Sequence, residues 1–269
     1  MIRVQNIHKS FGQTQVLKGV SFEVRDGDVL ALIGRSGYGK SVLLKHVSGL
    51  LKPDMGNITI DNQDVALLTG KELLKLRDRL GFLFQSGALF DSMTIFDNVA
   101  FPLREKTHLK ESEIREKVFY ELEQVGLIGS EQKYPSQVSG GMVKRAALAR
   151  ALVEEPEIML FDEPTTGLDP LTGETILTLI DSCHNRIGFT GIIVTHEIPR
   201  IFGVVNRVAM IHDGVIQFEG SPEEILSSED PVVQSFITGS MQGPIHESLC
   251  ELDSVLKIRQ KMRPNKVYR

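Results

Sequence analysis

Short apolar runs in the first part of the chain have the length and composition of strands. They cover residues 1–7, 20–24 and 28–33, and the third run leads directly into a glycine-rich turn. A helical pattern follows over residues 40–50, so this part of the sequence predicts a strand–loop–helix unit. Further strands are predicted at residues 58–60, 80–84, 158–161, 192–194, 208–211 and 215–218, and Asp213-Gly214 between the last two predicts a hairpin.

The spacing of apolar residues becomes helical between residues 90 and 155. They recur there at Ile114, Val118, Leu122 and Val125. A second helix is predicted over residues 140–153, which indicates a helical subdomain set into a sheet-based core. Later, Ser221 followed by Pro222 and Glu224 has the order of a capped helix start, and another helix is predicted to open at residues 230–231.

Composition and charge describe a globular protein. The 269 residues are 41% hydrophobic and carry a formal charge of −5, which excludes disordered and fibrous classes. No apolar run approaches the roughly 18 residues of a membrane-spanning helix, and the amino-terminal residues alternate instead of forming a secretory signal. We expect one lobed domain in the cytoplasm, where the widely separated Cys183 and Cys250 stay reduced.

The carboxyl-terminal segment differs in charge from the acidic remainder. Residues 239–244 are predicted to form a linker, and the basic residues beyond it are Lys257, Arg259, Lys261, Arg263, Lys266 and Arg269. A solvated tail and a contact with lipid headgroups, nucleic acid or an acidic partner are both compatible with this charge.

The glycine-rich turn matches a phosphate-binding loop. It reads Gly34-Arg35-Ser36-Gly37-Tyr38-Gly39-Lys40-Ser41 and lies between a buried strand and a helix, where this motif is expected. Glycines let successive backbone N–H groups turn toward a phosphate, and the helix start adds partial positive charge. Lys40 is expected to reach the β- and γ-phosphate oxygens, and the Ser41 hydroxyl is a candidate Mg²⁺ ligand.

Two carboxylates end another apolar strand. Asp162 and Glu163 directly follow residues 158–161, where burial of charge is unfavourable unless a cation or a reaction uses it. Asp162 is the expected partner of Mg²⁺, through water, and Glu163 is suited to orient or deprotonate an attacking water. With the phosphate loop, these residues predict a P-loop NTPase.

Four further segments resemble those of the ATP-binding cassette (ABC) ATPases and follow one another along the chain in the order found in that family. One is Ser139-Gly140-Gly141-Met142, which is similar to the family signature Leu-Ser-Gly-Gly-Gln and opens a predicted helix. A serine cap followed by two glycines forms a second anion site. Because the chain has one phosphate loop, this second site is expected to close over the γ-phosphate of another copy. The resemblance thus implies a head-to-tail homodimer with two ATP molecules between the chains.

The other three segments contain Gln85, Asp169 and His196. Gln85 matches the family glutamine that contacts Mg²⁺ and the attacking water. Asp169, in Gly167-Leu168-Asp169, matches the loop that crosses to the partner, and His196 matches the histidine that bonds the γ-phosphate. Phe11 resembles the aromatic residue that stacks on adenine.

The resemblance implies a full set of site residues. The expected nucleotide contacts are Phe11, Gly34, Arg35, Ser36, Gly37, Tyr38, Gly39, Lys40, Ser41, Val42, Ser139, Gly140, Gly141 and Asp169. The expected catalytic residues are Lys40, Gln85, Glu163 and His196, and the expected Mg²⁺ ligands are Ser41, Gln85 and Asp162. Two residues depart from the family pattern: Tyr38 replaces a small residue, and Met142 replaces the signature glutamine.

The family fold is an α/β, RecA-like P-loop NTPase core with an amino-terminal antiparallel β subdomain and an inserted α-helical subdomain. We expect the ABC ATPase domain to cover residues 1–240, with the helical subdomain at about 87–155. Residues 241–269 are then a carboxyl-terminal extension that includes the basic tail.

Several segments resemble those of the Mla/Mce-associated subgroup of this family, which moves phospholipids. They are Met142 with the basic, alanine-rich residues 144–150, and residues 230–236 and 242–244. This resemblance implies an ATPase subunit that binds a separate integral-membrane permease at the cytoplasmic face of the inner membrane. An Mce-type periplasmic protein and a STAS-domain protein are expected partners, and nucleic acid is not.

Two other functions fit the same motifs. An ABC transporter for amino acids, metals or drugs would use the same ATPase, because its membrane partners select the substrate. A soluble ABC ATPase acting on nucleic acid or in cofactor assembly is a second alternative, but the long coiled-coil insertion or second motor typical of such proteins is missing from this sequence. A regulatory protein without ATPase activity is disfavoured, because every catalytic position is filled.

Overall fold

The computed structural model describes the backbone of residues 1–241 and the side chains of residues 1–239. The strands in this part of the chain are β1 (Ile2–Phe11), β2 (Thr14–Val24), β3 (Val29–Ile33), β4 (Met55–Ile60), β5 (Gln63–Asp64), β6 (Leu80–Leu83), β7 (Ile158–Asp162), β8 (Thr190–Thr195), β9 (Arg207–His212) and β10 (Val215–Gly220).

Helices separate most of the strands of the core. They are α1 (Lys40–Val47), α2 (Gly70–Asp78), α3 (Ile95–Lys106), α4 (Glu111–Gln124), α5 (Gly140–Leu152), α6 (Pro170–Ile187), α7 (Pro222–Leu226) and α8 (Pro231–Met241), with short 3-10 turns at Pro135–Gln137 and Arg200–Gly203. Within residues 1–241, no helix combines the length and the apolar character needed to cross a bilayer.

The strands form two sheets. The antiparallel sheet has the order β2-β1-β4-β5, and the larger sheet has the order β10-β9-β3-β8-β7-β6. The larger sheet is parallel except for β10, which pairs antiparallel with β9. All residues of β3 and β7 are buried, as expected for parallel strands covered on both faces.

The two faces of the larger sheet meet different partners. One face joins the antiparallel sheet and α1 in a core that contains Leu17, Leu32 and Leu44. The other face joins α6 and the helices α3, α4 and α5 in a core that contains Phe161, Val118 and Leu148. The helical region therefore shares a continuous core with the sheet that carries the phosphate loop.

Parallel pairing gathers the predicted motifs at one edge of the larger sheet. Ile33 of β3 pairs with Thr195 of β8, and Asp162 of β7 pairs with Val194. Since the carboxyl ends of these strands lie side by side, the segments that follow them meet at this edge. The phosphate loop begins there, and Glu163 and His196 are the first residues after β7 and β8.

The predicted α/β fold with an antiparallel sheet, a largely parallel sheet and a helical region is confirmed. All predicted strands are present, including the hairpin at Asp213-Gly214, and Ser221 forms a capping box with Glu224 at the start of α7. The domain boundary near residue 240 and the limits of the helical subdomain stay predictions.

Several element ends differ from prediction. Strands β1 and β2 are longer, because they continue as a hairpin to Phe11 and Thr14. Helix α1 ends at Val47 instead of residue 50, because Gly49 has φ +67° and leaves the helix. Helix α8 continues to Met241, so the start of the predicted linker is helical; the remaining linker and the basic tail lie outside the described residues.

Candidate nucleotide site

At Gly34 and Gly39 the phosphate loop combines a left-handed backbone with a close neighbour, so a side chain fits poorly there. Gly34 has φ +148°, and a Cβ there would lie 2.4 Å from the carbonyl oxygen of Ile211. Gly39 has φ +90°, and a Cβ there would lie 2.7 Å from Leu17 Cδ2. The loop therefore packs closely against β9 and β2 at these two positions. This close packing requires glycine there whether or not a ligand is bound.

Lys40 is the first residue of α1 and is 4% exposed. Its Nζ donates to the carbonyl oxygens of Gly34 at 2.7 Å and Arg35 at 3.0 Å. Burial lowers the pKa of Lys40, while the nearby carboxylates of Glu163 and Asp162 oppose that shift. The ammonium therefore lies at the loop, in reach of a phosphate bound there.

Beside Lys40, Ser41 joins the phosphate loop to the acidic strand. Its Oγ donates to Asp162 Oδ1 at 2.6 Å, across 121 positions of sequence. Asp162 is 7% exposed. A buried carboxylate next to a hydroxyl is a set of hard oxygen ligands, which suits Mg²⁺. The described residues contain no group of three or more His, Cys, Asp or Glu arranged for a metal, so a cation here would also rely on hydroxyl, amide or phosphate oxygens.

The carboxylate of Glu163 collects three polar side chains from different segments. Thr166 Oγ1 donates to Oε2 at 2.9 Å, and Gln85 Nε2 donates to the same oxygen at 3.4 Å. His196 Nδ1 lies 3.4 Å from Oε1. Glu163 itself has φ +47°, a conformation uncommon for a residue with a side chain, and its N–H donates to the carbonyl of Val194 at 2.9 Å.

The remaining phosphate-loop residues surround this centre at different depths. Arg35, Ser36 and Gly37 are exposed, and Tyr38 and Val42 are half-buried. The Tyr38 ring meets the His212 ring edge-on with centroids 5.3 Å apart. The large side chain of Tyr38 thus packs against the end of β9, while its backbone N–H donates to the Arg35 carbonyl within the loop at 3.4 Å.

Phe11 ends β1 and is 48% exposed. Lys9 Nζ lies 5.8 Å from the centre of its ring. Phe11 pairs with Thr14 across the hairpin, close in sequence to Val16 and Leu17, whose side chains adjoin Gly39. An exposed aromatic ring is therefore available on the hairpin beside the phosphate loop.

The signature segment lies in a different setting. Ser139 caps α5 by accepting from the Met142 N–H at 3.3 Å, and Ser139 and Gly140 are exposed. Gly141 is buried, and a Cβ there would lie 2.5 Å from Thr172 Cγ2 on α6. Asp169 caps α6 in turn, and the hydrogen bond from Thr172 lowers the pKa of its carboxylate.

The structure thus brings most predicted residues together but not all of them. Lys40, Ser41, Gln85, Asp162, Glu163 and His196 form one centre. Among the described residues, the side-chain hydrogen bonds of Ser139 and Asp169 stay within their own helix starts and do not reach that centre.

Three residues near the centre were missed by the sequence reasoning. Thr166 holds Glu163, while Lys144 and Arg150 of α5 donate to backbone carbonyls at and after Gln85. Lys144 was detectable, because it lies among buried positions of an otherwise apolar helix face. Thr166 carries no such signal, since a hydroxyl three residues after an acid is common in turns.

A phosphate loop and an acidic strand at the carboxyl edge of one parallel sheet define a P-loop nucleotide hydrolase. A family model described as ABC transporter matches residues 17–166. The chain belongs to the ATP-binding cassette family, and it is an ATPase.

Two curated relatives match nearly the same part of the chain. The intermembrane phospholipid transport system ATP-binding protein MlaF of Haemophilus influenzae is 42% identical over 91% of this chain and 93% of its own length. The probable ribonucleotide transport ATP-binding protein mkl of Mycobacterium tuberculosis is 46% identical over 91% of this chain and 68% of its own length. The two relatives are named for different cargoes.

A solved structure has the same architecture. The dimeric ATP-binding cassette MJ0796, in a post-hydrolysis state bound to ADP and Pi, is 33% identical with a TM-score of 0.76, and the match covers 82% of this chain and 99% of that one.

Proposed function

We propose that the chain is the ATP-hydrolysing subunit of an ABC transporter that moves phospholipid between membranes through a separate permease. Two copies bind two ATP molecules between them, and closing and reopening of this homodimer drives the permease. The chain acts at the cytoplasmic face of the inner membrane as a peripheral subunit.

The observation that carries the hydrolytic part is the arrangement around Glu163. Its carboxylate lies next to the Ser41–Asp162 pair and is held by Thr166, Gln85 and His196. A carboxylate with oriented lone pairs in this position can accept a proton from, or align, a water that attacks the γ-phosphate. In this proposal, Gln85 and His196, which both contact Glu163, hold that water and the γ-phosphate oxygens.

The other roles follow from chemistry at the same edge. Backbone N–H groups of residues 34–39 and the ammonium of Lys40 bind phosphate oxygens, and Phe11 offers a ring for adenine. Ser41, Asp162 and Gln85 would hold Mg²⁺, which supplies neutralising charge to the β- and γ-phosphates when bound. Lys40 then stabilises charge that develops on the transferred phosphoryl group.

The homodimer is supported by the outward position of the signature segment. Ser139 and Gly140 are exposed at a helix start that holds no partner from the phosphate loop. Such a start binds anions, so a second copy could bring its γ-phosphate there, as expected of a head-to-tail dimer. The ADP-bound relative is itself dimeric, which supports the same arrangement.

The phospholipid cargo is supported by the extent of the match to MlaF. The chain spans 93% of that relative's length, against 68% of mkl. We therefore prefer phospholipid, with an Mce-type periplasmic protein and a STAS-domain protein as further partners. Ribonucleotide transport is the second candidate, because mkl has the higher identity.

The Glu163→Gln variant tests the proposed ATP hydrolysis. The variant keeps the shape of Glu163 but cannot accept a proton, so it should bind ATP, accumulate as a closed dimer and lose turnover. Glu174→Gln, at an exposed position on α6, is the matched control and should hydrolyse ATP normally. Normal turnover in Glu163→Gln would contradict the role of Glu163.

The trapped variant also tests the cargo and partners. We would extract it from native membranes with ATP in mild detergent and identify bound proteins and small molecules by mass spectrometry. A polytopic permease with an Mce-type protein and phospholipid is the expected result. A permease with bound ribonucleotide would favour the second candidate, and soluble partners alone would overturn the transport proposal.

A further inference from the structure

Two basic side chains of α5 reach the loop that begins with Gln85. Lys144 Nζ donates to the carbonyl oxygen of Gln85. Six residues later, Arg150 Nη1 donates to the carbonyl of Ala88 and Nη2 to the carbonyl of Gly87, both at 2.8 Å. One helix therefore holds this loop, residues 85–88, at both ends.

The Lys144 side chain is largely protected from water, whereas Arg150 is half-buried. Lys144 is 5% exposed and lies near the carboxylates of Asp162 and Glu163, which attract its charge. An ammonium in such a place is retained when its bonds are satisfied, and loss of one partner leaves the other buried and unpaired. The bond from Lys144 to Gln85 is therefore one that the fold has reason to keep.

The loop needs this support because its own bonds are few. Gly87 N–H donates to the Phe84 carbonyl in a turn, at 2.8 Å, and Ala88 has φ +48°, an unfavourable conformation for alanine. The Arg150 guanidinium donates to the carbonyls of Gly87 and Ala88, on both sides of this strained φ angle. Helix α5 thus determines where the loop lies, and so where Gln85 begins.

The same helix starts at the signature segment. Ser139 caps α5 five residues before Lys144, and Gly140 and Gly141 form its first turn. Because Ser139, Lys144 and Arg150 belong to one helix, a shift of its start would carry both basic side chains with it.

We propose that Lys144 and Arg150 are positioning residues that fix the Gln85 loop to the signature helix, so that nucleotide contact at Ser139 and Gly140 sets the position of Gln85 against Glu163. This inference rests on the roles proposed above for Gln85 and Glu163. Each chain then senses the partner's nucleotide through α5 and adjusts its own hydrolytic centre.

The first test compares four variants of one helix. Lys144→Met keeps the length of the side chain without charge, Lys144→Arg restores a donor, and Arg150→Met removes the second anchor. Arg145→Met is the matched control, because Arg145 donates to the carbonyls of Val125 and Gly126 instead of the loop.

We expect Lys144→Met and Arg150→Met to lower kcat between about tenfold and about a hundredfold, the range that small misplacement of a catalytic group produces. KM for ATP should stay unchanged, since the phosphate loop is intact. Lys144→Arg should recover part of the lost kcat, and Arg145→Met should match the unaltered chain. An equal loss in Arg145→Met, or no loss in Lys144→Met, would overturn the proposal.

Amide hydrogen exchange of residues 86–89 separates this inference from the proposed hydrolytic roles. Lys144→Met and Arg150→Met should exchange faster there than Arg145→Met, with or without hydrolysis. Faster exchange with normal turnover in Glu163→Gln would keep the link between α5 and the loop while removing the role of Glu163. Unchanged exchange in a folded Lys144→Met protein would refute the link itself.

Discussion

Two glycine-rich helix starts, those of α1 and α5, have similar sequences and opposite surroundings. The start of α1 has no side-chain cap, and its first residue, Lys40, is buried among loop carbonyls and carboxylates. The start of α5 is capped by its own Ser139 and is exposed. The same local chemistry therefore gives one site enclosed by its own chain and one that faces outward.

This difference teaches that position in the fold decides what a helix start can bind. The start of α1 lies at the carboxyl edge of the parallel sheet, where β7 ends at Asp162 and is followed by Glu163. The start of α5 lies against α6, where Gly141 touches Thr172. Under the proposed roles, a phosphate at α1 lies beside Asp162 and Glu163 of its own chain, whereas one at α5 depends on a second chain for the carboxylate that activates water.

Removal of the Lys40 ammonium should have the largest effect. Lys40→Met is expected to reduce ATP turnover by about 10²–10³-fold, the loss typical of removing one preorganised donor. Nucleotide binding should also weaken, because Lys40 is proposed to contact the phosphates in the bound state. Turnover assays and binding titrations check this; tight ATP binding with normal turnover would break the distinction between the two helix starts.

Blocking the start of α5 should separate binding from hydrolysis. Ser139→Arg is expected to keep ATP binding to the chain but lose dimer formation and turnover, because a bulky side chain covers the exposed anion site. Dimerisation can be followed by light scattering with ATP in the Glu163→Gln background. Loss of ATP binding in the separate chain would indicate that both helix starts serve one nucleotide within a chain.

A mixture of the two variants sharpens the comparison further. Lys40→Met and Ser139→Arg chains are each expected to be inactive, but a mixed dimer contains one site with an intact phosphate loop and an intact signature helix. Turnover should therefore reappear on mixing, and each variant alone at the same total concentration is the control. No recovery, with mixed dimers demonstrated, would contradict a site shared between chains.

The glycines of the two segments should differ in stability. Gly34→Ala forces a Cβ against the Ile211 carbonyl at φ +148°, and this strain should lower the free energy of unfolding by about 1–3 kcal/mol. Gly140→Ala meets Leu168 Cδ2 at 3.7 Å without a strained φ, so stability should be unchanged or slightly raised. Urea unfolding without nucleotide measures both; equal losses would remove the distinction.

The smallest effect is expected from mild acid. Burial lowers the pKa of His46 in α1 below 6.5, so the unfolded chain binds a proton that the folded chain excludes, and stability should fall as pH drops through 6.5 toward the lowered value. His46→Asn keeps a donor toward the Val42 carbonyl and should reduce this loss between about pH 7.5 and about pH 5.5. His108→Asn, at an exposed site, should leave it unchanged.

Much of the fold could be predicted because its elements carry local signals. The apolar runs of β3 and β7, the Asp-Gly hairpin and the Ser221 capping box each depend on neighbouring residues. Helix α6 is absent from the prediction, although Asp169 followed by Pro170 is a helix-start signal. The same Asp169 also fits the family segment Gly167-Leu168-Asp169, and that match hides the helix start. Helix α2 is also absent from the prediction, because it has little buried surface and a weak apolar pattern.

The candidate site was predictable only as a set of residues. Lys40, Asp162, Glu163 and His196 each follow or begin an element with a recognisable pattern. Their roles stay proposals, but their proximity is a result of the structure. The contact of Thr166 with Glu163 had no comparable signal in the sequence, and the apolar neighbours of Lys144 marked that residue without indicating the Gln85 carbonyl as its partner.

The sequence by itself determined most of the strands, the starts of helices α1, α5 and α7, and which residues can bind phosphate, because those properties depend on side chains within a few positions of each other. Tertiary structure decided which helix start is enclosed and which is exposed. It also decided that one helix holds the Gln85 loop, since the bonds from Lys144 and Arg150 join residues 59 to 63 positions apart. Contacts of that separation arise from packing of whole elements, which no local pattern specifies.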